Sequence, residues 1–151
     1  MRVLGAVLML GEGPAANDEG AAAARALRAL KEQCAEVCTV GGSNAGDAML
    51  APWPRDNAGP LGLLAAALRH ARERGLRHVL SWPADLAPPP AGLVRQLAPS
   101  PAHSIGNPMI GLWQVADLVH LDLLLASGRS HDVGMFAALS GARGVAVRGQ
   151  S

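Results

Sequence analysis

The hydrophobic positions of the chain fall into short apolar runs separated by amphipathic segments. Runs at residues 3–10, 36–40 and 78–82 are largely apolar or β-branched and stop at Gly or Pro, which is typical of strands buried on both faces of a sheet. Residues 21–33 place apolar side chains at helical spacing. Residues 60–75 open with Pro and end with Gly, the usual boundaries of a helix.

The remaining third of the chain continues this alternation. The patterns predict a short helix, a strand that includes a tight Gly-Asn-Pro turn, two further helices and a last strand, at residues 90–97, 104–113, 114–126, 131–139 and 145–147. Strands that alternate with helices predict an α/β fold: a three-layer sandwich with a mostly parallel, Rossmann-like sheet and helices on both faces. Without an internal linker or repeat, residues 1–151 are predicted to form a single domain.

Composition narrows the classes of partner. Half of the residues are hydrophobic, 17% are charged and the net charge is +1, so there is no general electrostatic reason to bind nucleic acid or an anionic membrane. No run approaches the ~20 apolar residues of a membrane span. We therefore expect a soluble, cytoplasmic protein in which Cys34 and Cys38 are buried thiols. The sequence leaves open whether the chain forms a homo-oligomer.

Asp85 is the first candidate for chemistry, because it follows the apolar run at residues 78–82 so closely. In parallel sheets, ligands bind outside the carboxyl ends of the strands, and the loops at residues 11–14 and 41–44 are predicted to open at the same edge. Asp85 is either a turn residue before a proline-rich loop or a carboxylate that suits a hard cation such as Mg²⁺.

A dinucleotide site is disfavoured, although residues 11–16 formally match its glycine motif. That motif requires an acid at the end of the second strand, where this chain has Val40-Gly41-Gly42. Glu12 would also bring a negative charge towards the pyrophosphate.

Four segments within residues 57–140 carry a resemblance to a known family. They read GPLG at residues 59–62, PADL at 83–86, NPMIGLW at 107–113 and LASGR at 125–129. In this order and spacing they resemble motifs of the molybdenum cofactor guanylyltransferases and their relatives. Those enzymes transfer a guanylyl or cytidylyl group from GTP or CTP to the terminal phosphate of molybdopterin, use Mg²⁺ and release pyrophosphate.

The resemblance implies roles for particular residues. Asp85 would be the catalytic metal ligand, and Asn107 and Pro108 would lie near the acceptor. The implied nucleotide-binding residues are Leu10, Gly11, Gly13, Asn44, Gly59 and Leu61. The implied ligands are therefore a nucleoside triphosphate, a molybdopterin-type acceptor and Mg²⁺.

The loop after the first strand departs from the family pattern. The family holds the triphosphate there with amides, an arginine and a lysine, whereas residues 11–19 contain no Arg or Lys and include Glu12, Asp18 and Glu19. Pro14 also removes an amide donor. Two lost charge-assisted contacts of about 1.5 to 3 kcal/mol each would weaken nucleotide binding by roughly two to four orders of magnitude. Two hypotheses follow: an enzyme of impaired activity, or a non-catalytic relative that binds a nucleotide, a pterin or a protein.

Overall fold

The structure of the protein is a computed structural model that describes residues 2–9, 16–41, 49–50, 59–127 and 132–148. The strands in this part of the chain are β1 (Val3–Leu8), β2 (Glu36–Val40), β3 (Met49–Leu50), β4 (His78–Pro83), β5 (Ala102–Ser104), β6 (Gly111–Gln114) and β7 (Arg143–Val145). The helices are α1 (Ala16–Lys31), α2 (Gly59–Glu73), α3 (Leu93–Leu97), α4 (Leu118–Ala126) and α5 (Val133–Ser140), with a 3-10 turn at Val115–Asp117 before α4. Within the described ranges, no helix is both long and apolar enough to span a membrane.

The strands form one sheet in the order β3-β2-β1-β4-β6-β5-β7. Only β6 runs against its neighbours, pairing antiparallel with β4 and with β5, while the other pairs are parallel. The sheet is therefore mostly parallel, as the sequence predicted. The reversal at β6 brings the turn between β5 and β6 to the edge of the sheet where β4 ends.

Helices cover both faces of this sheet, which confirms the three-layer, Rossmann-like α/β architecture. Along β1, Leu4 and Leu8 belong to a core shared with α2, α4 and α5. Val3 and Val7 point the other way, into a core shared with α1 and α3. The two cores lie on opposite faces of the sheet because successive side chains of a strand alternate.

Several element boundaries differ from the sequence prediction. The segment predicted as one strand at 104–113 is divided between β5 and β6, and Gln114 ends β6 instead of opening a helix. β7 begins at Arg143, before the predicted strand at 145–147, because Arg143 and Gly144 pair with β5. The Arg143 guanidinium also donates to the carbonyl oxygens of Leu97 and Pro99, at 3.0 Å each. These long-range contacts override weak local strand propensity.

Gly111 is required by the packing of Trp113. The indole of Trp113 folds back over Gly111, so a Cβ at residue 111 would lie 2.3 Å from Cζ2 of the ring. The other side of the indole meets Phe136 of α5, with ring centroids 5.1 Å apart. β6 and α5 are therefore joined through a single buried tryptophan.

Replacing Gly111 with alanine should destabilise the protein by at least about 2 kcal/mol, because overpacking displaces Trp113. The measurement is the free energy of unfolding in urea. Gly106→Ala is the matched control, since its Cβ would meet nothing within 4 Å, and its expected change is within about 0.5 kcal/mol. Equal stability of the two variants would contradict this account of the packing.

The two cysteines are free and lie on opposite faces of the sheet. Cys38 is fully buried in the core under α2, whereas Cys34 is partly buried and packs against the core under α1. Burial raises the pKa of both thiols to about 12, and the charge of Glu36 adds to the effect at Cys38. The predicted pair of unbridged thiols is confirmed, although Cys34 is not completely enclosed.

Both thiols should be unreactive towards a disulfide reagent at pH 8 in the folded protein and react once it is unfolded, because the thiolate is the reactive form. Stability should also depend on pH. Since the folded pKa values exceed the unfolded value of about 8.5, the free energy of unfolding should fall as the pH rises above that value. Cys38→Ser, compared with the unchanged protein in urea titrations at pH 7 and pH 10, should reduce this slope. Fast labelling of both thiols in the native state would contradict the burial.

Candidate functional site

The carboxyl ends of β1, β2 and β4 lie side by side at one edge of the sheet. Hydrogen bonds continue past the strands there: Met9 N donates to Val40 O at 2.9 Å, and Ala84 N donates to Leu8 O at 2.9 Å. The chain therefore leaves three neighbouring strands at one place, which is where ligands bind in sheets of this kind. The candidate site is this edge.

Asp85 is the first exposed residue after β4. All six residues 79–84 are buried, and the chain then turns so that Asp85 reaches solvent. Among the described residues, no hydrogen bond or ion pair involves its carboxylate. An exposed carboxylate without a protein partner is free to bind a cation or a hydrogen-bond donor on a ligand.

The loop that carries Asp85 is fixed at both ends. Ala84 is held by Leu8, and at the other end Gln33, beyond the end of α1, bridges two points of the chain. Gln33 Nε2 donates to Pro90 O at 3.1 Å, and its Oε1 accepts from Val94 N at 3.0 Å. From its local pattern Gln33 was predicted only as the end of a helix, because nothing near it in sequence marks its contacts with residues some 60 positions away.

The turn between β5 and β6 forms a second side of the site. Asn107 closes this turn: its Oδ1 accepts from Met109 N at 3.0 Å, and its carbonyl oxygen accepts from Ile110 N at 3.0 Å. Within the described part of the chain, nothing accepts a hydrogen bond from its Nδ2 group. Asn107 thus closes the turn and leaves an Nδ2 group from which a ligand could accept, while Pro108 is half-buried beside it.

Ser81 joins this turn to β4. Its hydroxyl donates to Met109 O at 2.6 Å and accepts from the Trp113 indole Nε1 at 2.9 Å, and the side chain is buried. The loop after β4 and the turn before β6 are therefore held in a fixed relation by one hydroxyl group. Ser81 was not predicted as a site residue, although a polar residue within an apolar strand is a signal that could have found it.

The amino-terminal part of α2 lies near the carboxyl end of β2, through Leu63 in its second turn. A Cβ on Gly41 would lie 3.2 Å from Leu63 of α2 and 3.2 Å from Met9 O, and the φ of +75° at Gly41 favours glycine there. Gly59, at the start of α2, is exposed. The side chain of Leu61 is packed in the core and 2% exposed, so only its backbone could contact a nucleotide.

The structure thus brings part of the predicted site to one edge of the sheet: Asp85, Asn107 and Pro108 stand beside the end of β4, with Gly59 and the Leu61 backbone at the start of α2. Four other predicted nucleotide-binding residues lie outside the described residues: Leu10, Gly11, Gly13 and Asn44.

Asp85 alone could bind Mg²⁺ that keeps other ligands, but it could not form a metal site made entirely of protein ligands. Across the described ranges, no three His, Cys, Asp or Glu side chains converge to hold a metal ion. Mg²⁺ commonly takes one or two carboxylates and completes its shell with water and phosphate oxygens. Asp85 could therefore hold Mg²⁺ together with a bound phosphate group.

Two groups with a shifted pKa lie at the opposite edge. Burial lowers the pKa of His78, at the start of β4, with the charge of Arg77 adding to it. Burial raises the pKa of Asp117, which follows β6, although the nearby His120 lowers it in part. Antiparallel pairing of His78 with Gln114 places both residues away from the candidate site.

Comparison with known proteins supports the fold alone. The sequence matches no protein-family model and no curated protein. The structure is similar to the crystal structure of protein Aq1419 from Aquifex aeolicus VF5, with a TM-score of 0.75 and 14% sequence identity, over 95% of this chain and 86% of that chain. At this identity the likeness establishes the architecture, and function must be argued from the site.

Ser81→Ala should lower the free energy of unfolding by about 1 to 3 kcal/mol, because it leaves a buried indole N–H and a carbonyl oxygen without their partner. Urea denaturation measures the effect. Ser140→Ala is the matched control, since that hydroxyl only donates to Ala137 O in the last turn of α5. Its expected effect is below about 0.5 kcal/mol. A Ser81 variant as stable as the control would contradict the joining role of this hydroxyl.

Proposed function

We propose that this protein is a relative of the nucleotidyltransferases that join a nucleotide from GTP or CTP to molybdopterin, with its site at the carboxyl edge of β1, β2 and β4. The observation that carries the proposal is Asp85, an exposed carboxylate with no partner among the described residues, held on an anchored loop beside the end of β4. The four sequence segments that resemble the family supply the reaction class. We place the protein in the cytoplasm, where its two free thiols stay reduced.

In the proposed reaction, an oxygen of the acceptor phosphate bonds to the α-phosphorus of the nucleotide. The bond from that phosphorus to the oxygen bridging the β-phosphate breaks, and pyrophosphate leaves. Asp85 would hold Mg²⁺, which offsets negative charge on the phosphates. Asn107 would donate from Nδ2 to the acceptor, and the exposed backbone at Gly59 would border the nucleotide.

The second candidate is a non-catalytic relative that uses the same edge to bind a nucleotide, a pterin or a protein. It is favoured by one feature of the sequence: three acids and no Arg or Lys in residues 11–19, where the family holds its triphosphate. Acids near that position repel the β- and γ-phosphates that an enzyme must align. The two candidates share Asp85 and differ in whether pyrophosphate is released.

Calorimetric titration with GTP and CTP, with and without Mg²⁺, tests the role of Asp85. We expect Mg²⁺-dependent binding with a Kd of about micromolar order, and at least a tenfold loss in Asp85→Asn, which corresponds to about 1.4 kcal/mol. The melting temperature should not change, because Asp85 is exposed. Glu73→Gln is the control: it removes an exposed carboxylate at the far end of α2.

The outcomes separate the candidates. Release of pyrophosphate when molybdopterin is added would favour the enzyme, and binding without release would favour the non-catalytic relative. Equal affinity in Asp85→Asn and the unchanged protein would contradict the metal-binding role. Failure of the unchanged protein to bind either nucleotide would contradict the nucleotidyltransferase proposal.

A further inference from the structure

The outward side of α4 is apolar, although its inward side already forms part of the core. Leu118, Leu121 and Leu124 are buried against the sheet and α2. Val119 and Leu123, one helical turn apart on the other side, are 58% and 65% exposed. A helix that is apolar on both sides is typically covered on both sides.

The same holds for α5. Val133 and Phe136 are buried in the core, whereas Met135 and Leu139 are 46% and 49% exposed. These two exposed residues are also one turn apart and face away from the sheet. Two consecutive helices thus present large apolar side chains to solvent.

The exposed residues of α4 and α5 form one surface, because the helices contribute to the same core layer and pack on each other. We define the outer face as Val119, Leu123, Met135 and Leu139. Small exposed side chains accompany them on the same segments: Ala116, Ala126 and Ala138. The four large residues expose roughly 400 Å² of apolar surface, a size at which patches on monomers are often functional.

Charged side chains on these two helices do not interrupt the outer face. Asp122 is turned towards α2, where it pairs with Arg69 at 2.8 Å. Asp132 stands at the start of α5 and caps the helix by accepting from Met135 N at 2.9 Å. His120 lies at the other flank of α4, 4.0 Å from Asp117. The centre of the face is therefore neutral.

We propose that the outer face of α4 and α5 is the interface of a homodimer. In a two-fold contact the same patch meets itself, so a charged patch would bring like charges together, and a neutral apolar patch does not. Two copies would bury roughly 800 Å² through the four large side chains, and the adjacent alanines bring the total to about the 1,000 Å² of a small specific interface. This proposal is independent of the function of the site.

Sedimentation velocity on the whole chain, over about 1 to 100 μM, tests the proposal. An interface of this size should give a Kd of about micromolar order, so the monomer–dimer equilibrium should be visible in this range. Leu123→Glu should raise the dimer Kd at least about 100-fold, because it places a charge in each half of an apolar contact. Leu139→Glu should do the same from the other helix.

Ile105→Glu is the matched control. Ile105 is 67% exposed, as much as Leu123, but it lies in the turn between β5 and β6. It should leave the dimer Kd unchanged within about twofold. Circular dichroism and melting temperatures establish that each variant is folded.

Two results would overturn the proposal. In the first, the unchanged protein stays monomeric over the whole concentration range, and the outer face would then have to bind a different partner. The other is a dimer whose Kd is the same in folded Leu123→Glu and Leu139→Glu, which would place the interface elsewhere.

Discussion

The burial of β4 on both faces and its pairing on both edges determine the rest of the structure. β4 pairs in parallel with β1 and antiparallel with β6, and residues 79–84 have no exposed side chain. A polar group in such a strand must find its partner inside the protein. Ser81 does so through Met109 and Trp113, whereas the indole Nε1 of Trp82 is buried without a partner in the described part of the chain. Asp85 is exposed because the chain turns away from the sheet directly after these buried residues.

The sequence predicted those helices and strands whose hydrophobic pattern depends only on their own residues. The apolar runs at β1 and β4, the helical spacing in α1 and the Pro and Gly boundaries of α2 predicted elements that the structure confirms. Single-element patterns could not predict the direction of β6, because its reversal depends on pairing with β4 some 30 residues earlier. The bounds of β7 differ from the prediction for the same reason, since Arg143 and Gly144 pair with β5 despite their weak strand propensity.

The candidate site also contains residues that local sequence features predicted and residues that they did not. Asp85 was predicted from its place after a strand and Asn107 from the family resemblance, and both lie beside the end of β4. Ser81 and Gln33, which fix the positions of these segments, act through contacts distant in sequence that no local pattern encodes. The side chain of Leu61 is packed in the core, which leaves only its backbone for a ligand.

The distribution of positive charge explains why a cation matters to the proposed site. Arg69 and Arg74 pair with Asp122 and Glu36, and Arg143 donates to backbone carbonyls, so these arginines are engaged in structural contacts. Arg72 lies in the last turn of α2 and Arg74 just beyond it, whereas the amino-terminal part of this helix is near the candidate site. With acids in residues 11–19 as well, phosphate groups at this edge would meet more negative than positive charge from nearby sequence. If the proposed function holds, Mg²⁺ held by Asp85 would reverse that balance locally, and nucleotide binding should depend on the cation more steeply than in nucleotidyltransferases that keep an arginine and a lysine in this loop.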